Sequence, residues 1–99
     1  MKNEPKVVLT VEIGYEIRQV VLTTSEWAAV LSGTQLQKEV VDIYDGEQFI
    51  YDWKFNFPGA TDSLVVEYRQ EEDIWSLATG FAGDVHDAML HYTDDENVR

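Results

Sequence analysis

Along most of this chain hydrophobic residues alternate with polar ones, and the breaks in the alternation mark its elements. Val7-Val-Leu-Thr-Val-Glu-Ile13 and Glu16-Ile-Arg-Gln-Val-Val-Leu22 flank Gly14 and Tyr15. Successive side chains of a strand face opposite sides, so both segments predict half-buried strands. Glycine first in a two-residue loop fits a type II′ turn, whose twist matches the strands it joins. That register sets Ile13 opposite Glu16, Val11 opposite Arg18, Leu9 opposite Val20 and Val7 opposite Leu22. One face then carries Val7, Leu9, Val11, Ile13, Val20 and Leu22, and the hairpin has a wet tip at Glu16 and Arg18.

The period changes at Leu22. With Thr23 as N-cap, Glu26 falls at N3 and completes a capping box, while Leu22 and Trp27 occupy the positions of a hydrophobic staple. Trp27, Val30 and Leu31 follow helical spacing and should face the sheet. Gly33 supplies the stop.

The most heavily patterned stretch is Phe49-Ile-Tyr-Asp-Trp-Lys-Phe-Asn-Phe57, with an aromatic residue at every odd position. A period of two gathers Phe49, Tyr51, Trp53, Phe55 and Phe57 onto one side, which predicts a central strand with an aromatic face and a polar one. The strand Glu39-Val-Val-Asp-Ile-Tyr44 precedes it, and Asp45-Gly46 between the two is a hairpin signal. A two-residue loop sets Glu39 opposite Asp52, two like charges. A three-residue loop with a bulge at Gly46 instead sets Lys38 opposite Asp52 and Val41 opposite Phe49, and is the register expected.

Pro58 ends the aromatic strand, because it lacks a donor for the ladder. Leu64-Val-Val-Glu-Tyr-Arg69 is a further strand, residues 70–73 an acidic connection, Ile74-Trp-Ser-Leu-Ala78 the return strand, and residues 79–83 a turn. Asp84 can cap a last helix of about eight residues, with Val85, Ala88, Met89 and Tyr92 as its apolar stripe. Asp94, Asp95 and Glu96 oppose the macrodipole at its end, so the helix should stop near Tyr92. The order is ββαββββα: an α+β fold with a largely antiparallel sheet of about six strands and two short helices. The opening strand–strand–helix also fits a β-grasp arrangement.

Composition bounds the rest. Ninety-nine residues make one domain, with residues 1–5 and 94–99 expected to be flexible ends. The absence of cysteine excludes a disulfide framework, a thiol nucleophile and a thiolate zinc site. The N-terminal stretch lacks the apolar run of a signal peptide or membrane span, so a cytoplasmic location is expected.

Charge changes the picture most. Nineteen acidic residues against seven basic give a net charge of −12, of which −8 falls in residues 59–99. Such a field repels nucleic acid and anionic membrane and attracts basic partners.

The candidate chemistry is thin. His86 and His91 are five residues apart, which does not suit two metal ligands on one helix face; Asp87 and His91 make a simpler surface ion pair. Thr79-Gly-Phe-Ala-Gly83 lacks the Lys-Ser/Thr ending of a phosphate loop, and Asp84 would repel phosphate there. No nucleophile, base and orienting group can be assembled by motif, so neither an enzyme nor a bound cofactor or metal is expected.

The acids of the second half are the remaining feature. With the strand continued past Tyr68, Glu67, Arg69, Glu71 and Asp73 would project on one side about 6.8 Å apart, a row able to imitate a phosphate backbone. The expected partner-binding residues are Glu67, Glu71, Glu72, Asp73, Asp84, Asp87, Asp94, Asp95 and Glu96, with Phe55 and Phe57 as exposed aromatic contacts. The expected function is non-catalytic: an inhibitor, decoy or immunity-type protein on a basic, nucleic-acid-binding surface, such as a phage- or plasmid-encoded antagonist of host defence. An adaptor or homodimeric module using exposed aromatics is the alternative. A small-ligand domain with a pocket lined by Trp53, Trp75 or Tyr92 is the third reading.

Overall fold

The first hairpin forms in the register its alternation predicts. β1 (Lys6–Ile13) pairs with β2 (Glu16–Thr23), with Ile13 opposite Glu16, Leu9 opposite Val20 and Val7 opposite Leu22. Gly14 has φ +60°, while Tyr15 keeps a negative φ, as a type II′ turn requires. In the computed structural model, which describes residues 5–59, 61–70 and 73–94, four further strands extend this pair. They are β3 (Leu36–Tyr44), β4 (Glu47–Phe55), β5 (Ser63–Gln70) and β6 (Asp73–Gly80). The strand order is β4-β3-β2-β1-β5-β6, and every neighbouring pair is antiparallel. The fold is therefore α+β in the order ββαββββα, and no parallel pair of the β-grasp kind occurs among the described strands.

α1 (Thr24–Leu31) begins where the capping box places it. Thr23 Oγ1 accepts the Glu26 N–H at 3.1 Å, and Glu26 Oε1 accepts the Thr23 N–H at 3.0 Å. The Glu26 carboxylate also receives Lys38 from β3 at 2.9 Å, tying the helix start to the sheet. The Thr23 N–H first, and Lys38 with it, outweigh burial and hold the Glu26 carboxyl below its ordinary pKa. Thr23→Ala removes one half of the box and should cost about 1 kcal/mol in urea unfolding. Thr23→Ser should cost far less, since serine offers the same acceptor.

α2 (Ala82–Asp94) is longer than its sequence pattern indicates. It starts at Ala82, so Asp84 lies in the first turn rather than at the cap, where its charge still favours the macrodipole. The buried stripe is Ala82, Val85 and Met89, whereas Ala88 is exposed. Val85 and Met89 of the expected stripe are thus buried and Ala88 is not, while the side chain of Tyr92 lies outside the described residues. Residues 79 and 80 belong to β6 rather than to a turn.

α1 packs on β1 and β2, α2 packs on β5 and β6, and the helices touch each other on the same face of the sheet. The core beneath them joins Val7, Leu9, Val11, Val20 and Leu22 to Trp27, Val30, Leu64, Val66, Val85 and Met89. A bulge in the β5–β6 ladder sets Val66 opposite Ala78 and Glu67 opposite Ser76. The extra residue, Leu77, packs against the core.

Two expectations about the aromatic strand are overturned. β4 is an edge strand, not a central one. The period of two placed its rings on one face correctly, but nothing in the period says which strands flank it. The second hairpin is also tighter than expected. Tyr44 pairs with Glu47 across a two-residue loop in which Asp45 has φ +52° and Gly46 φ +82°, the two positive values of a type I′ turn. Glu39 therefore does stand opposite Asp52. Both are exposed, where water screens the repulsion, and Gln37 Nε2 donates to Asp52 Oδ2 at 3.3 Å.

Candidate functional site

The expected partner residues do not gather into one surface among the described residues. Glu67 is half-buried and bound by Arg69 at 2.8 Å, and β5 ends at Gln70, which pairs with Asp73 across the next turn. The supposed row of carboxylates is thus interrupted by a cation and then folded back on itself. Asp73 starts β6, whereas Asp84 and Asp87 lie on α2, which follows the far end of that strand. All three are exposed. Asp94 is the last residue of α2, and Glu71, Glu72, Asp95 and Glu96 lie outside the described residues, as do most of the expected flexible ends.

The aromatic contacts also move. Phe55 is 5% exposed and belongs to the core, stacked on Trp53 with ring centroids 4.7 Å apart. Phe57 is half-buried, with Trp27 at 5.9 Å and His86 at 4.4 Å. It helps line a cavity of about 340 Å³ with Val30, Gly33, Asn56, Pro58, Gly59, Gly83 and His86. Trp53 and Trp75 do not line this cavity. His91 is exposed on the helix surface.

What the fold does assemble lies at the opposite end of the helix-bearing face. The helices rest on β1, β2, β5 and β6. On the inner face of β3 and β4, Leu36, Val40 and Phe55 join the core, while the end nearer their hairpin turn, at Tyr44, Phe49 and Tyr51, stays open. Across that face Arg18 stands beside Asp42 and Asp42 beside Phe49, with Glu16 beside Tyr44 one row closer to the tip. Tyr51 and Trp53 continue the row of rings along β4. Tyr44, Phe49 and Tyr51 are 54%, 46% and 39% exposed, whereas Asp42 among them is only 5% exposed.

Asp42 is the centre of this group. Its Oδ2 accepts the Tyr51 hydroxyl at 2.6 Å and lies 3.6 Å from Arg18 Nε. Arg18 Nε donates to Glu16 Oε2 at 3.1 Å, and its guanidinium sits 5.0 Å from the centre of the Trp53 ring, a cation–π distance. Burial opposes ionisation of Asp42, but the Tyr51 hydroxyl and the charge of Arg18 outweigh it, and the carboxyl lies below its ordinary pKa. Asp42 Oδ1 is buried and accepts no hydrogen bond from the described residues. Burial and the bond to Asp42 push the Tyr51 phenol up, with Arg18 opposing them. Chemically, this surface offers flat rings beside carboxylates, the composition that receives cations rather than anions.

Sequence reasoning missed Glu16, Arg18, Asp42 and Tyr44. The bulged register set Asp42 opposite Gln48, on the polar face, and so hid an acid placed among the rings. In the two-residue register Asp42 faces Phe49, and an acid next to Val40 on an aromatic face is the signal that would have found the site.

Fold and surface together define a class: an α+β domain whose antiparallel sheet carries both helices on one face and leaves a corner of that face, at the β3–β4 turn end, exposed. Comparison with protein-family models, curated protein sequences and solved structures finds no match. No helix among the described residues is long and apolar enough to cross a membrane.

Proposed function

We propose that this chain is a non-catalytic binding domain that engages a basic protein surface, acting as an inhibitor or decoy of a nucleic-acid-binding protein in the cytoplasm. The observation that carries this reading is the disposition of charge. Arg18, Lys38 and Arg69 are each held by carboxylates of their own fold, whereas Asp45, Glu47, Asp52, Asp73, Asp84 and Asp87 are exposed. Lys6 and Lys54 are also exposed, but they are far outnumbered, so the outward field of a chain with net charge −12 stays strongly negative, which speeds encounter with basic partners and discourages anionic ones. The reading rests on this field rather than on a regular row of carboxylates, since Arg69 binds Glu67 and Asp73 pairs with Gln70 on the neighbouring strand instead of continuing the row.

The test is competition. The partner recovered from the native host on immobilised chain should release in moderate salt, and the chain should displace nucleic acid from it. Affinity should fall about tenfold or more between 50 and 200 mM salt, because the charges involved are exposed and screened. A partner that is not basic, or that stays bound when salt is raised to about 1 M, where the Debye length is only about 3 Å, would count against the reading.

Self-association is the second reading, favoured by one observation: Phe49, Ile50 and Tyr51 are exposed on an edge strand. Light scattering separates the two. A dimer insensitive to salt and dispersed by Phe49→Ser supports self-association, and a monomer supports the acidic binding domain.

A further inference from the structure

We propose that the open corner of the inner face of β2–β4 is the docking point for an arginine side chain of the partner, received by the rings of Tyr44, Phe49 and Tyr51 beside the carboxylates of Glu16 and Asp42. This inference rests on the basic-partner reading above and gives it a place and a chemistry.

Charge at the site is unbalanced. Glu16 and Asp42 bring two negative charges and Arg18 one positive, and Asp45 and Glu47 add exposed carboxylates at the adjoining turn. The other nearby lysines do not compensate. Lys38 is bound to Glu26 on α1, and Lys54 alternates onto the outer face of β4. Asp42, 5% exposed, keeps one carboxylate oxygen without a donor among the described residues. That oxygen is too deeply buried for a partner's donor to touch, so Asp42 acts on the site through its charge, which no donor to that oxygen among the described residues offsets.

The fold already contains a smaller version of the proposed contact. The Arg18 guanidinium approaches the Trp53 ring while its Nε serves Glu16 and faces Asp42. The neighbouring rings, Tyr44, Phe49 and Tyr51, are 39–54% exposed. A second guanidinium laid on them would come alongside the half-buried Glu16 carboxylate and feel the charge of Asp42 beneath the rings. Arginine suits this better than lysine, since its planar fork stacks on rings and offers several donors in fixed directions.

An octa-arginine peptide titrated into the full chain in 50 mM salt, followed by calorimetry, tests the inference. The variant Glu16→Gln with Phe49→Ser removes one carboxylate and one ring. It should bind about tenfold more weakly, as expected from losing a charge-assisted hydrogen bond and a cation–π contact. The variant Asp84→Asn with Asp87→Asn removes more charge from α2 and should lose less than about threefold, since only long-range attraction is reduced there. All four positions lie at the surface or half-buried, and a thermal melt of each variant checks that the fold is retained.

Equal losses in the two variants would overturn the site while leaving the basic-partner reading intact, because affinity would then follow net charge alone. Octa-lysine binding as tightly as octa-arginine would overturn the assignment to arginine. No binding of either peptide by the unaltered chain would overturn both the site and the reading beneath it.

Discussion

Truncating Leu9 to alanine is expected to lower the unfolding free energy by about 3 kcal/mol, near the middle of the range for emptying a fully buried leucine site. Leu9 has no exposed surface, and β1 is flanked on both sides, with Val20 on β2 and Val66 on β5 directly opposite. Its neighbours are held in ladders and cannot close the space, so the variant loses both the transfer term and the cavity term. Against a total stability of about 5–15 kcal/mol for a domain of this kind, that is a large fraction. Urea unfolding reads it as a fall in midpoint with an unchanged slope. Ile50→Ala on the open edge should cost less than about 0.5 kcal/mol, as surface substitutions usually do. A loss below about 1 kcal/mol at Leu9 would mean that β1 is not the centre of the sheet.

Arg18→Ala is the second large effect, at about 3 kcal/mol, near the lower end for breaking a buried ion pair because Arg18 keeps some contact with water. The loss comes from Asp42, left as a buried carboxylate with only the Tyr51 hydroxyl to stabilise it. Asp42 has its pKa lowered in the fold, so its contribution is fully present above the ordinary carboxylate range and is lost as pH falls through the folded value. The gap between the unaltered chain and Arg18→Ala should therefore be widest near pH 7 and shrink below about pH 4, as Asp42 takes up a proton. The lowered Glu26 carboxyl follows the same direction in both proteins and cancels from the difference. Replacing the pair together, Arg18→Met with Asp42→Leu, should restore most of the loss. A gap that does not change with pH would show that Arg18 acts through packing on Trp53 instead.

Local chemistry in the sequence was a good guide to local structure. The first hairpin's register follows from a two-residue loop with glycine first, and the capping box at Thr23 and Glu26 fixes the start of α1 to the residue. Longer-range features were not written locally. Four rings at odd positions of β4, from Phe49 to Phe55, share a face, with Phe57 beyond the strand's end. How much of that face is covered depends on where two helices land, and those pack over β1, β2, β5 and β6. The start of α2 lies one turn earlier than the expected stripe, at Ala82, three residues before Val85 and buried with it, and Ala88 drops out to solvent. The second hairpin's register turned on weighing one repulsion, Glu39 against Asp52, above the turn type. Two positive φ values at Asp45 and Gly46 decided it the other way. That single residue of register moved Asp42 to the aromatic face, and with it the candidate site.

The open corner of the sheet as a receiver of basic side chains is tested most directly in the amide spectrum of the chain during the octa-arginine titration. Shifts are predicted at Glu16–Arg18, Asp42–Tyr44 and Phe49–Trp53, together with the Trp53 indole, saturating in common and weakening as salt is raised. Shifts concentrated on Asp73, Asp84 and Asp87, or spread evenly over every exposed carboxylate, would contradict it.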